Sequence, residues 1–397
     1  MSILESLKEY SVLFYAKQTP KYERELLQKL NLDNKLIGII GAKGVGKTTL
    51  LLQFMKKQPF SMDEMLYVSV DHPLMSSTTI LEVAREFAAL GGKLLILDEI
   101  HAQSDFAGDL KTIWDFLEIN VIFSGSSALH LEGADLSRRA VKYRLPTLSF
   151  REFLELETAQ HFNRYALEEL LSDHATIAAD ILSRIKPLKY FRAYLRYGYY
   201  PFYLEDKESV PIKLTDAINK TIEVDLITLF AIDAKKLRNI KKILTMLCLS
   251  APYKPNMRTL SQSVELDIKT LYSYLHALEA GRIIRMVAMQ GRGESLIKKP
   301  EKIYLDNPNM FRSLCYEANV GTLRESFFAS SLGNAQCDFA VSKKGDFVVN
   351  DTFTFEIGGK NKGFEQIKDL PDSYVAADEI ESGFGNKIPL WLFGFLY

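Results

Sequence analysis

Two short segments carry residues whose types and spacing suit chemistry on phosphates. Gly41-Ala42-Lys43-Gly44-Val45-Gly46-Lys47-Thr48-Thr49 has the spacing G-x-x-x-x-G-K-S/T and lies between an apolar run, LIGII, and a helical run, TTLLLQFMKK. Glycines there let the backbone curl until its N–H groups converge on phosphate oxygens, and the helix that follows adds the positive end of its dipole. Lys47 is then expected on the β- and γ-phosphates and Thr48 on Mg²⁺. The second segment, Lys93-Leu94-Leu95-Ile96-Leu97-Asp98-Glu99, is an apolar strand ending in two carboxylates. Asp98 would hold Mg²⁺ through its water shell and Glu99 would polarise the attacking water. The two segments together imply a site that binds ATP with Mg²⁺ and hydrolyses it.

Further polar groups sit where they could complete such a site. Ser124, in the strand-like run VIFSG, is placed to sense the γ-phosphate or orient water, with Ser126 as the alternative; either serine could instead cap the next helix. Asp71 and His101 follow neighbouring strands and read first as loop residues, second as links to a partner. An arginine completing the site, from the same chain or an adjacent subunit, would stabilise charge during phosphoryl transfer. Arg138, Arg139, Arg144, Arg192 and Arg196 are the candidates, each of which would also suit a solvated helix face.

These residues need a scaffold, and the apolar pattern supplies one. Strand patterns at Leu66–Val70, Leu94–Leu97 and Val121–Phe123 alternate with helical runs such as LEVAREFAAL and KTIWDFLEI, which predicts a parallel sheet wrapped by helices. Residues 1–149 are therefore expected to form one α/β domain. The strand signal then gives way to helical periodicity over 150–238, a helical lid broken at Pro187, Gly198 and Pro201. Residues 239–300 read as a winged helix: helices at Thr259–Val264 and Asp267–Ala280, then an apolar run turned at Gly291 and Gly293. Lys269, Thr270, Tyr272 and Ser273 begin its recognition helix. Arg282, Arg285, Arg292, Lys298, Lys299 and Lys302 follow as a cluster that would suit a phosphate backbone if it shares one face. Residues 301–397 alternate strand and helix signals, as expected of a small α+β domain.

The bulk composition sets limits. A chain of 397 residues exceeds what one core usually supports. Lys plus Arg number 49 and Asp plus Glu 50, so no global field draws the protein to nucleic acid or anionic lipid, and any basic surface must be local. No run approaches the roughly 18 apolar residues of a membrane span. The three cysteines, Cys248, Cys315 and Cys337, lack the paired spacing of zinc or disulfide frameworks, which predicts a reduced, cytoplasmic setting.

The ordered set GAKGVGKTTLL, LLILDEIH, VIFSGSSA, SRRAVKYRLPTLSFREFLEL, YFRAYLRYGYYP, EKIYLDNPNMF and FEIGGKNK resembles the AAA ATPases of the additional-strand type. It is most similar to archaeal and bacterial members that join the ATPase to a C-terminal domain of unknown function resembling restriction endonucleases. The resemblance implies a P-loop NTPase sheet followed by lid, winged helix and nuclease-like α+β domain. It also implies Glu99 as catalytic base and Arg139 as a γ-phosphate contact, although Ser137-Arg138-Arg139 stands where the family usually has Gly-Arg. Glu325, Asp338, Glu356 and Lys360 resemble the metal-binding set of PD-(D/E)xK nucleases, whose lysine lies two residues beyond the last acid. Here that position is Gly358 and the lysine arrives at Lys360 or Lys362, which favours a domain kept for binding over one that cuts. The expectation is a Mg²⁺-dependent ATPase that switches engagement with DNA or a protein, alone or as an oligomer; an ATP-gated nuclease and a non-hydrolysing ATP-bound module are the rivals.

Overall fold

The computed structural model describes residues 2–126, 136, 138–230, 232, 236–249, 254–291 and 299–397. The chain divides into two compact units, Met1–Pro146 and Thr147–Tyr397.

The first unit opens with α1 (Ile3–Tyr15), fixed at its start by a capping box in which Ser2 and Glu5 satisfy each other's backbone N–H groups. A short helix, α2 (Leu26–Lys29), leads to β1 (Leu36–Gly41) and α3 (Lys47–Lys56). The alternation continues through β2 (Met65–Ser69), α4 (Ile80–Ala89), β3 (Leu94–Asp98), α5 (Phe106–Phe116), β4 (Asn120–Ser126) and β5 (Val141–Arg144). The strands form one parallel sheet in the order β2-β3-β4-β1-β5. An added strand, β4, thus separates the strand that precedes the glycine loop from the strand that ends in acids. All five residues of β3 are buried, as a doubly covered parallel strand requires. The open edge at β2 is covered by α1, whose Ser11 hydroxyl accepts the Tyr67 N–H at 2.9 Å.

The second unit begins with helices α6 (Phe150–Thr158), α7 (Leu167–Arg184), α8 (Pro187–Tyr197) and α9 (Val210–Lys220); α9 passes through a π-helical turn, Thr221–Leu226, into α10 (Ile227–Phe230). Then come α11 (Leu237–Leu249), α12 (Met257–Ser263) and α13 (Ile268–Ala280). Asp267 caps α13 by accepting the Thr270 N–H. Strands β6 (Ile284–Ala288) and β7 (Pro300–Leu305) pair antiparallel, so a boundary at residue 300 falls inside a strand pair. After α14 (Pro308–Leu314) and α15 (Val320–Asn334) comes a sheet of β8 (Phe339–Val341), β9 (Phe347–Val349), β10 (Phe353–Gly358), β11 (Ser373–Ala377) and β12 (Lys387–Pro389), ordered β12-β11-β10-β9-β8.

Distant segments of this unit share one core. Phe150 meets Phe191, Tyr194 and Phe395, and Arg151, buried, pairs with Glu155 and donates to the Tyr397 carbonyl. Asn309 of α14 accepts the Tyr199 N–H and donates to the Tyr194 and Leu195 carbonyls, satisfying backbone groups that burial would otherwise strand.

One cysteine expectation is overturned. Cys248 of α11 and Cys315, just past α14, form a disulfide with Cα atoms 5.3 Å apart. Short-range spacing cannot reveal a pair separated by 67 residues; the packing of α11 on α14 brings it together. Cysteine usage therefore gives no support to a reduced compartment. Among the described residues, no helix is long and apolar enough to cross a membrane.

Candidate nucleotide site

The glycine loop and the acids meet at the carboxyl ends of the first sheet's strands, where ligands of open parallel sheets bind. Gly41 ends β1 opposite Ser126 of β4, and Asp98 ends β3 opposite Ser69 of β2. A Cβ on Gly41 would lie 2.5 Å from the Leu145 carbonyl oxygen and 3.0 Å from Val45 Cγ2, so no larger residue fits where β1 enters the loop. Gly44 and Gly46 have φ of 84° and 96°, the left-handed conformation that turns successive N–H groups inward. Lys47, the first residue of α3, is buried; its Nζ donates to the Gly41 and Ala42 carbonyls at 3.1 and 3.2 Å and lies 4.0 Å from Glu99 Oε1. Lys43 and Thr49 flank the loop half-exposed.

Asp98 is buried and hydrogen-bonded from several directions. Thr48 Oγ1 donates to its Oδ2 at 2.6 Å and the Tyr67 hydroxyl to the same oxygen at 3.1 Å. Ser124 Oγ and the Glu99 N–H donate to Oδ1, the latter at 3.1 Å. Burial, and then the neighbouring Asp98 carboxylate, push the Tyr67 phenol's pKa well up, so it remains a donor. A hydroxyl and a carboxylate side by side at the head of α3 are the donor set that a nucleotide-bound Mg²⁺ takes, so Thr48 and Asp98 fit that ion.

Glu99 has φ 51°, an unusual value for a side-chain-bearing residue and one that observed strain ties to functional positions. Its Oε2 is 3.4 Å from His101 Nε2, which brings to the site a residue read from sequence as a loop histidine. Ser124 accepts the Glu99 N–H at 3.4 Å while binding Asp98, so it orients the two acids; Ser126, at the strand end beside Gly41, stands nearer the loop. Asp71 is exposed beyond β2 and accepts from Ser69. Two residues had no motif to announce them. One is Tyr67; the other is Arg24, whose Nη1 reaches the Pro146 carbonyl at 2.7 Å and the Val45 carbonyl of the loop at 3.5 Å.

The arginines separate. β5 runs parallel to β1 with Val141 opposite Ile37, so Arg139 lies beyond the amino ends of the strands. The glycine loop is at the other end, about 20 Å away at 3.3 Å per strand residue. Arg139 instead pairs with Asp115 at 3.2 Å and stacks on Trp114. It does not reach the site of its own chain. Arg138 beside it is exposed, and Arg144 stands at the loop end of β5. Arg192 and Arg196 belong to the second unit; both are exposed, and Arg196 lies 3.5 Å from Glu208.

The basic cluster also divides. Arg285 is buried, bonds Asp306 at 2.9 Å, and burial lowers its pKa. Lys302 is buried as well, and Arg282 is half-buried on Asn334 at 2.7 Å. Arg285 and Lys302 therefore cannot line a phosphate-binding face; Lys299 is exposed, and Arg292 and Lys298 lie outside the described residues. The exposed positions of α13 are instead Ile268, Lys269, Ser273 and His276, with Thr270 and Tyr272 partly exposed.

In the terminal sheet the nuclease-like set regroups. Pairing of Phe339 with Val349 and Val341 with Phe347 puts Asp338 at one end of the β8–β9 hairpin and Asp346 at the other. Phe355 pairs with Phe347, so Glu356 lies at the Asp346 end. Asp346, not Asp338, joins Glu325 and Glu356; Lys362, not Lys360, bonds Glu356, at 2.5 Å. The missed signal is the Gly345-Asp346 turn.

Comparison with known proteins accords with the first sheet. Residues 33–154 match the AAA domain model. Residues 188–315 match a domain of unknown function, DUF8612. An uncharacterized protein of Methanocaldococcus jannaschii is 27% identical over 313 residues, 73% of this chain; the chain spans 65% of that relative's length. Among solved structures, a RuvB variant from Thermotoga maritima overlaps 79% of this chain and 95% of its own, with 13% identity and a TM-score of 0.34. DnaA from Aquifex aeolicus bound to AMPPCP overlaps 64% of this chain and 86% of its own, with 17% identity and a TM-score of 0.27. Overlaps this loose do not bear on the activity of this chain.

Proposed function

We propose that the chain is a Mg²⁺-dependent ATPase. The observation that carries this reading is the convergence of Lys47, Thr48, Asp98 and Glu99 on one sheet edge, on a segment that matches the AAA domain model. The loop backbone from Gly41 to Thr49 binds the phosphates, and Lys47 exchanges its contacts with the Gly41 and Ala42 carbonyls for phosphate oxygens. Thr48 and Asp98 would hold Mg²⁺, which when bound would screen the phosphate charge. Glu99 takes up the proton of the attacking water, with His101 and the backbone hydrogen bonds around residue 99 fixing its direction. Ser124 keeps the acids oriented, and Ser126 is the better placed γ-phosphate sensor.

Arg138 or Arg139, far from the loop of their own chain, would serve only a neighbouring copy, so turnover per chain should rise with protein concentration. Nucleotide state would switch a partner held by the second unit, read as lid (150–238), winged helix (239–300) and terminal domain (301–397). The partner would be DNA or a protein; α13 presents one lysine, Lys269, among its exposed positions. The deciding experiment is steady-state ATP hydrolysis with fluorescent-nucleotide binding, on wild type and Glu99→Gln. The variant should bind nucleotide yet turn over at least about a hundredfold more slowly. Full turnover in Glu99→Gln would remove Glu99 as the base. Binding without turnover in the wild type would leave the non-hydrolysing module.

A further inference from the structure

Strand β7 points Lys302 and Tyr304 the same way, as alternate residues of a strand must, toward three acids from three other segments. Lys302 is 5% exposed, with Nζ 2.8 Å from Glu325 Oε2 of α15 and 3.4 Å from Asp346 Oδ1 of the β8–β9 turn. The Tyr304 hydroxyl also donates to Glu325 Oε2. Asp346 Oδ2 accepts the Ile357 N–H at 2.8 Å, and Lys362 Nζ lies on Glu356 Oε1. Glu356 Oε2 is buried without a hydrogen-bond partner in the described residues. The nuclease-like pattern implies a divalent cation here, but the residues do not fit one. Such an ion needs about six oxygens; of the carboxylate oxygens named here only Glu356 Oε2 is not already bound by an ammonium, phenol or amide donor, and no described group of three or more acids, histidines or cysteines is gathered closely enough to hold a metal.

We infer that Lys302 is the resident cation of this cluster: its ammonium holds the place between Glu325 and Asp346 that a metal ion would require, so these acids take up no divalent cation. Two lysines against three carboxylates leave the cluster one negative charge; without Lys302 the imbalance is three against one. Acids so unbalanced, one buried and two mostly shielded from solvent, must take up protons or another cation. Burial already raises the pKa of Glu356, against the opposing pull of Lys362. The claim is independent of the ATPase reading, since it concerns another sheet.

The test is calorimetric titration of the nucleotide-free full chain with Mn²⁺, with Asp98→Asn as the arm that removes uptake at the loop. Wild type should show no saturable uptake at millimolar Mn²⁺. Lys302→Met, which keeps the aliphatic stem, should leave the acids to take up protons, so that its unfolding free energy falls more steeply with rising pH than the wild type's, and adding Glu325→Gln should remove the difference. Saturable uptake by the wild type that Asp346→Asn or Glu356→Gln abolishes overturns the inference, as does a folded Lys302→Met with the wild type's pH dependence of stability. Should Lys302→Met fail to fold, adding Glu325→Gln removes acid and cation together and should restore folding; failure of that double variant also overturns it.

Discussion

Ser124→Ala is the change that best separates an orienting serine from one that touches nucleotide. It removes one donor from Asp98 Oδ1 and leaves three hydrogen bonds on the carboxylate: Thr48 Oγ1 at 2.6 Å, Tyr67 OH at 3.1 Å and Glu99 N at 3.1 Å. A hydrogen bond to a charged group contributes about 1.5–3 kcal/mol. Because the Glu99 amide stays on the same oxygen, the lower end applies, about 1.5–2 kcal/mol. At about 2–4 °C per kcal/mol for a unit of this size, melting should fall by roughly 3–8 °C. If the whole loss were expressed in the transition state, turnover would fall about 10–30-fold, at tenfold per 1.4 kcal/mol. The assay pairs thermal unfolding with steady-state ATP hydrolysis. Unchanged melting with turnover down by far more than about a hundredfold would refute the orienting role and put the hydroxyl on the nucleotide. Ser126→Ala should show the reverse balance, a larger effect on turnover than on melting.

Four other expectations follow from the second unit. Arg285→Ala leaves buried Asp306 without its closest cation and should cost about 3–5 kcal/mol of stability, read by denaturant unfolding; Lys269→Ala should leave stability intact and, if α13 meets DNA, weaken binding and flatten its salt dependence. Thiol titration of the unfolded, unreduced chain should find one reactive cysteine, Cys337, and three after reduction; reduction should lower stability by up to about 4 kcal/mol for a closed loop of this length. Finally, burial holds Glu356 above the ordinary 4.5, so the folded chain binds more protons there than the unfolded one. The stability from this group is complete below the ordinary value and is lost as pH rises through the raised one. Glu356→Gln should flatten that fall in a plot of unfolding free energy against pH, and an unchanged slope would count against the buried acid.

What sequence made legible was local. The loop reads from eight consecutive residues whose backbone must curl, and β3 from an apolar run between Lys93 and Glu99, so the sheet edge could be found without knowing how the strands neighbour one another. β5 escaped notice because Val141–Arg144 is a four-residue edge strand, too short to establish a pattern, with none of its residues fully buried. Tyr67 and Arg24 escaped because their partners, Asp98 and the loop carbonyls, are brought to them only by strand order and by the return of the N-terminal segment across the sheet.

Charge patterns misled where partners were far away in sequence. Arg285 and Lys302 read as part of a basic surface because few acids lie near them, yet their counter-ions are Asp306 and Glu325, 21 and 23 residues on, and the β6–β7 pair turns both cations inward. Asp338 and Asp346 differ in the same way. Both border a strand, and only the pairing of Val341 with Phe347 decides which one stands with Glu356. A side chain's charge states what it needs, not where that need is met. For acids and bases inside a fold, the meeting place is set by register, and register across a turn depends on which residues make the turn. That is why the nucleotide site, built on a loop and strand ends, follows from spacing, whereas the lysine-centred cluster of the terminal sheet follows only from the pairing of its strands.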